Sequence, residues 1–137
     1  MRVLFLALLA LGLAGCNEAP HPYAGVPAKN VQVRTVTIGP GSLALSVHSC
    51  RGTYEGFVAL DQASVEIGLP TDRAVKLVFE FRNPSVSNLK EIEIAPRPGY
   101  RYEVRVSLKD AIHDIELREL DPRSGTNREL DTTSRRC

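Results

Sequence analysis

Ser46 and His48 stand two residues apart in LALSVHSC, a spacing that puts a hydroxyl and an imidazole on the same face of an extended strand. The chemistry on offer is nucleophilic acyl transfer, with the imidazole as base. Activation needs a third group to orient the ring, and no G-x-S-x-G elbow is present to supply the rest of such a site. Glu91 with Glu93, and Asp114 with Glu116, repeat the same spacing with carboxylates, as a paired acid/base site would require. Their ordinary reading is a solvated strand face opposite Ile92 and Ile94, or opposite Ile115 and Leu117, because no aromatic platform flanks them. His21, His48 and His113 lack the close His, Cys or Asp neighbours of a zinc site, so no metal is expected. Neither G-x-x-x-x-G-K nor G-x-G-x-x-G occurs, so no phosphate loop and no cofactor are expected either.

The stretch RPGYRYEVR offers a different kind of chemistry. Arg97, Tyr100, Arg101, Tyr102 and Arg105 bring together the two residue types most enriched at interface hot spots, which makes them the candidate contact surface. Alternation divides them, with Tyr100 and Tyr102 on one face of a strand and Arg101 and Arg105 on the other. If the tyrosines are core, the arginines form a charged outer face paired with acids such as Glu80 or Glu93.

The amino-terminal end concerns address rather than catalysis. Arg2 precedes an apolar run from Val3 to Leu13, then come the small residues Ala14 and Gly15 and a cysteine, Cys16. That is the three-part form of an export signal. A membrane span needs about 20 apolar residues, and Asn17, Glu18, Pro20, His21 and Pro22 end the run well before that. Leu13, Ala14, Gly15 and Cys16 resemble the lipobox of bacterial lipoproteins. The resemblance covers residues 1–16 and implies cleavage before Cys16, a diacylglyceryl group on its thiol and an acyl chain on the new amine. One chain binds a bilayer only marginally, whereas several hold firmly. Asn17 in place of an Asp implies outer-membrane sorting in a Gram-negative cell, with the protein facing the periplasm. With Cys16 lipidated, Cys50 and Cys137 are left to pair, and an oxidising envelope favours that disulfide. No C-x-x-C motif points to redox catalysis.

After the signal, residues 16–30 hold the lipidated Cys and a segment rich in Pro and Ala, with Pro20, Pro22 and Pro27 and no periodic apolar pattern. Such chain favours extended conformations at about 3.1 Å per residue and is expected to act as a tether. The domain is expected to span 31–137. The whole chain carries 17 basic and 16 acidic residues, a balance that argues against nucleic acid as a partner.

The elements that must position these residues read as strands. Val75, Leu77, Phe79 and Phe81 alternate with charged residues over 74–82, and Tyr100, Tyr102, Val104, Val106 and Leu108 do so over 100–108. Weaker runs occupy 31–38, 43–48, 54–59, 64–69 and 89–95, with Leu43, Leu45, Val47, Val65, Ile67 and Leu69 facing inward. The separators GPGS, LPTD, NPSVSN, PRPG and DPRSG carry turn residues. Segment 107–120 reads either as a strand after a turn at Lys109 and Asp110, or as a helix capped by Ser107 and Asp110. Leu117 and Leu120 lie off the helical face, which favours the strand and a terminal hairpin over 119–130. The expected fold is all-β, a small antiparallel β-sandwich with immunoglobulin-like or transthyretin-like connectivity. An edge strand left open would offer unpaired backbone groups to another chain, although no residue pattern selects which edge.

The functional reading that follows is a non-catalytic envelope lipoprotein, attached to the membrane through lipid and serving as a binding or assembly-support module for a protein partner. Two rivals stand beside it. Small lipoproteins that inhibit lysozyme share the size, the anchor and a late Cys, but this chain lacks their S-G-x-x-Y type loop. A small envelope enzyme would require a concave site that no motif announces.

Overall fold

A computed structural model describes residues 21–137; the lipobox, with Cys16, lies outside the described residues. Nine strands follow one another: β1 Val31–Ile38, β2 Ser42–Ser49, β3 Tyr54–Val58, β4 Ser64–Ile67, β5 Val75–Arg82, β6 Ser87–Ile94, β7 Arg101–Lys109, β8 Ala111–Leu120 and β9 Asn127–Leu130. They form two sheets, a five-stranded one in the order β4-β1-β7-β8-β9 and a four-stranded one in the order β3-β2-β5-β6. The fold is the expected all-β sandwich. Every pair is antiparallel except β1 with β7, whose parallel pairing is made possible by the long excursion of β2 to β6 between them. An immunoglobulin constant-type sandwich puts its first, second, fourth and fifth strands in one sheet. Here the first and second strands lie in opposite sheets, so that connectivity does not hold.

Alternation builds the core. Val75, Leu77, Phe79 and Phe81 of β5 are buried, facing Val104, Val106, Leu108 and Leu117 of the other sheet. Segment 107–120 is strand on both sides of a turn, with Asp110 in the left-handed region at φ 62°. A helix there would have turned Leu117, now wholly buried, away from the core. The hairpin of β8 and β9 closes the sheet as expected.

The described part of the expected tether, residues 21–30, does not act as a free spacer. Tyr23 N–H donates to Phe57 C=O at 2.8 Å, Phe57 N–H to His21 C=O at 2.9 Å, and Val26 N–H to Gly68 C=O at 3.0 Å. The segment thereby pairs with the outer edge of β3 through the bridge of Pro22 to Phe57. Two glycines permit the approach. A Cβ on Gly56 would stand 2.5 Å from Tyr23 Cα, and one on Gly68 would collide with the Val26 carbonyl.

Candidate functional site

The Arg and Tyr candidates divide between two places. Alternation along β8 carries Ile115 and Leu117 inward, and after them Glu119, which is the buried charged residue of the core. Tyr102 of β7 meets it from the facing register, its hydroxyl donating to Glu119 Oε2 at 2.8 Å. Arg97, from the loop before β7, donates through Nη2 to Oε1 at 2.5 Å and through Nε to Oε2 at 3.3 Å. Arg128 of β9 adds a third donor to Oε1 at 3.0 Å. The Arg97 guanidinium lies over the Tyr100 ring, 3.9 Å from its centroid. Tyr102 is buried among the core residues, so it offers no contact to a partner.

Burial acts to raise the Glu119 carboxyl, but hydrogen bonds from Arg97 and Tyr102 and the charges of Arg97 and Arg128 outweigh it and hold the group below the usual carboxylate range. Arg97 is shifted upward by its hydrogen bond to Glu119. Burial, followed by the nearby carboxylate, pushes the Tyr102 hydroxyl upward even though the Arg97 N–H acts the other way. A carboxylate with three donors has no free lone pair aimed at solvent, so the cluster works as a clasp joining β7, β8, β9 and the 95–100 loop. The inward parity that marks Ile115 and Leu117, extended by two residues, is the signal by which Glu119 can be found in the sequence.

Arg101 and Arg105 point to the outer face of the five-stranded sheet. Their acids are not Glu80 or Glu93: Glu80 is bonded to Arg82 on the other sheet, and Glu93 holds the carboxyl-terminal tail. Arg101 Nη2 is 3.7 Å from Glu66 Oε1 instead, and Arg34 Nη1 is 3.6 Å from Glu103 Oε1. Arg105 lies in register between Arg34 and Glu116 and forms no ion pair among the described residues. Exposed pairs of this kind contribute about 0–1 kcal/mol, so the face is held loosely and its charges are available to a partner.

The remaining candidates lie on both sheets, Ser46, His48, Glu91 and Glu93 on the four-stranded one and His113, Asp114 and Glu116 on the five-stranded one. Ser46 Oγ and His48 Nε2 are 2.9 Å apart on the outer face of the four-stranded sheet, with the Tyr54 ring edge-on to His48 at 5.5 Å and to His21 at 5.1 Å. Among the described residues no carboxylate bonds to the His48 ring, so the dyad lacks the group that would orient it. His113 lies on β8, and its side chain is outside what is described. Three of the four paired carboxylates are separately engaged: Glu91 with Lys76 at 3.6 Å, Glu93 with the tail, and Glu116 with Arg118. Asp114 borders an open groove of about 460 Å³ that Lys90, Glu91, Ile92 and Arg135 also line.

The tail itself is a strap. Glu93 Oε2 accepts the backbone N–H groups of Arg136 and Cys137, at 2.5 and 2.9 Å, and Arg136 Nη1 donates to the Glu93 carbonyl at 2.8 Å. These bonds from the Cys137 and Arg136 backbone hold the Glu93 carboxyl below the ordinary range. The strap ends with the sulfurs of Cys137 and Cys50 at bonding distance, 2.15 Å, and Cα atoms 5.3 Å apart. The pairing expected from the cysteine count is thus placed in reach by the fold. Comparison with known proteins finds no family model, no curated protein and no solved structure that matches the chain.

Proposed function

We propose that the protein is a non-catalytic lipoprotein of the bacterial envelope, anchored by lipid at Cys16, whose sandwich serves as a binding or assembly-support module on the periplasmic side of the outer membrane. The observation that carries the reading is the arrangement of the cysteines. Cys50 and Cys137 are brought to bonding distance across a sequence separation of 87 residues, which accounts for two of the three cysteines in the sequence; the third, Cys16, is the cysteine of the lipobox-like motif. A disulfide suits an oxidising compartment and a lipidated cysteine suits its inner surfaces. The contact surface of this module is the outer face of the five-stranded sheet, where Arg101 and Arg105 are exposed and weakly held, with Arg97 stacked on Tyr100 at its end. Fractionation of a Gram-negative host expressing the full chain tests the proposal. The protein is expected in the outer membrane, and the Cys16→Ala variant in the soluble envelope fraction; a wild-type chain that is itself soluble would overturn it.

A further inference from the structure

The described residues leave one long strand edge open. β3 is covered by residues 21–23, and β4 and β9 are four residues each. β6, with eight residues, is the outermost strand of its sheet, and no described strand pairs with its far side. Leu89, the third of its eight residues, is 59% exposed, and Val86, just ahead of the strand, is 38% exposed. Among the described residues they are two of the three large apolar side chains that stand out into solvent, which is unusual on an edge.

We infer that β6 pairs antiparallel with β6 of a second copy of this chain, about a two-fold axis through Leu89. Register selects this arrangement. Antiparallel self-pairing sets each residue against another on the same face, so only alternate registers are allowed. Centring the pair on Lys90 opposes two lysines, centring it on Glu91 or Glu93 opposes two glutamates, and centring it on Ile92 sets Glu91 against Glu93 twice. Centred on Leu89, the leucines meet, Lys90 faces Asn88 and Glu91 faces Ser87, with no like charges opposed. Registers centred on Ser87, Asn88 or Ile94 also oppose no like charges, but they pair only one to three residues of β6, against five for the register centred on Leu89.

The strap supports the same register independently. Arg136 and Cys137 are bonded to the side chain and carbonyl of Glu93, so the end of β6 near Ile94 is occupied while residues 87–91 remain open. Those five residues are the ones the Leu89-centred register uses. At the other end, Asn88 Oδ1 accepts the Ile112 N–H at 3.1 Å, and Asn83 Oδ1 accepts the N–H groups of Ser85 and Val86, so the strand is held before any partner arrives. Residues 21–23 lie along β3, the opposite edge of the same sheet, and β3 and β6 are separated by β2 and β5. The joined sheets would form one continuous eight-stranded layer, a small interface whose dimerisation depends on concentration.

Cysteine cross-linking on the full chain in host membranes tests the register. Residues directly opposed in an antiparallel pair have Cα atoms about 4.5–5.5 Å apart, within disulfide reach. Leu89→Cys should give a homodimer under mild oxidation, Ser87→Cys and Glu91→Cys should each stay monomeric alone and cross-link when co-expressed, and Lys90→Cys should not cross-link to itself. Leu89→Lys, at an exposed position, should keep the fold and weaken dimerisation by about tenfold or more in sedimentation of the detergent-solubilised protein. Self-cross-linking at Glu91→Cys equal to that at Leu89→Cys, cross-linking of Leu89→Cys only to some other envelope protein, or no cross-link at all would each overturn the inference. Cross-links are scored in whichever fraction the chain occupies, so a soluble chain that still dimerises refutes the anchor and leaves the dimer standing.

Discussion

Replacing both ends of the bridge, Cys50→Ala with Cys137→Ser, opens a loop of 87 residues. In the chain-entropy treatment, closing a loop of that length removes about 15 cal/mol/K from the unfolded ensemble, or about 4.6 kcal/mol at 25 °C. The native side of the account is small, because residues 131–137 bury no apolar side chain and are fastened mainly by their bonds to Glu93. Unfolding entropy of about 2.1 cal/mol/K per residue converts the loss into a fall in Tm of about 15–20 °C for a domain of this size. Calorimetry on the oxidised protein, the reduced protein and the double variant gives the answer directly. The reduced protein should match the variant, and the denaturant m-value of both should exceed that of the oxidised protein, since the opened chain exposes more surface. A fall of less than about 3 °C, with thiol titration confirming a bridge in the oxidised protein, would refute the reasoning by showing that the cross-link constrains little of the unfolded chain.

Three further predictions concern the clasp and the β7–β8 turn. Glu119→Gln leaves Arg97 and Arg128 half-exposed and able to rehydrate, so a loss of about 1.5–3 kcal/mol is expected in chemical denaturation, below the cost of breaking a fully buried pair. The depressed carboxyl of Glu119 contributes stability that is present above about pH 4.3 and is lost as pH falls through its folded value, so Tm should hold from neutral pH down to about 5 and fall below it. That acid limb should be shallower in Glu119→Gln, and equal limbs would contradict the assignment. Asp110→Val places a β-branched residue at φ 62° and should cost about 1–2 kcal/mol in the same assay, whereas Asp110→Gly should be close to neutral.

Most of the scaffold was legible because burial on one face writes itself as a period of two. Val75, Leu77, Phe79 and Phe81, like Tyr102, Val104, Val106 and Leu108, lie where alternation puts them. Leu117 decided strand over helix for the same reason. What alternation does not encode is which strand lies beside which: the parallel β1 and β7 pair depends on the path of the five strands between them. Residues 21–30 gave no signal because their contacts are backbone to backbone; the matching marks are on the receiving strands, at Gly56 and Gly68, where a side chain would not fit. Glu119 was concealed by its charge, since an acid at an inward position reads as the end of a strand until three donors from separate segments converge on it. The arginines were divided correctly by parity, but their acids come from neighbouring strands whose order was not readable.

The anchor is the premise from which compartment, disulfide and partner class follow. Intact mass of the mature full chain purified from host membranes tests it most directly. The account predicts a chain beginning at Cys16, carrying a diacylglyceryl group and one further acyl chain, with Cys50 and Cys137 oxidised and no free thiol. A chain that retains Met1 to Gly15, or whose Cys16 is an unmodified thiol, would contradict it.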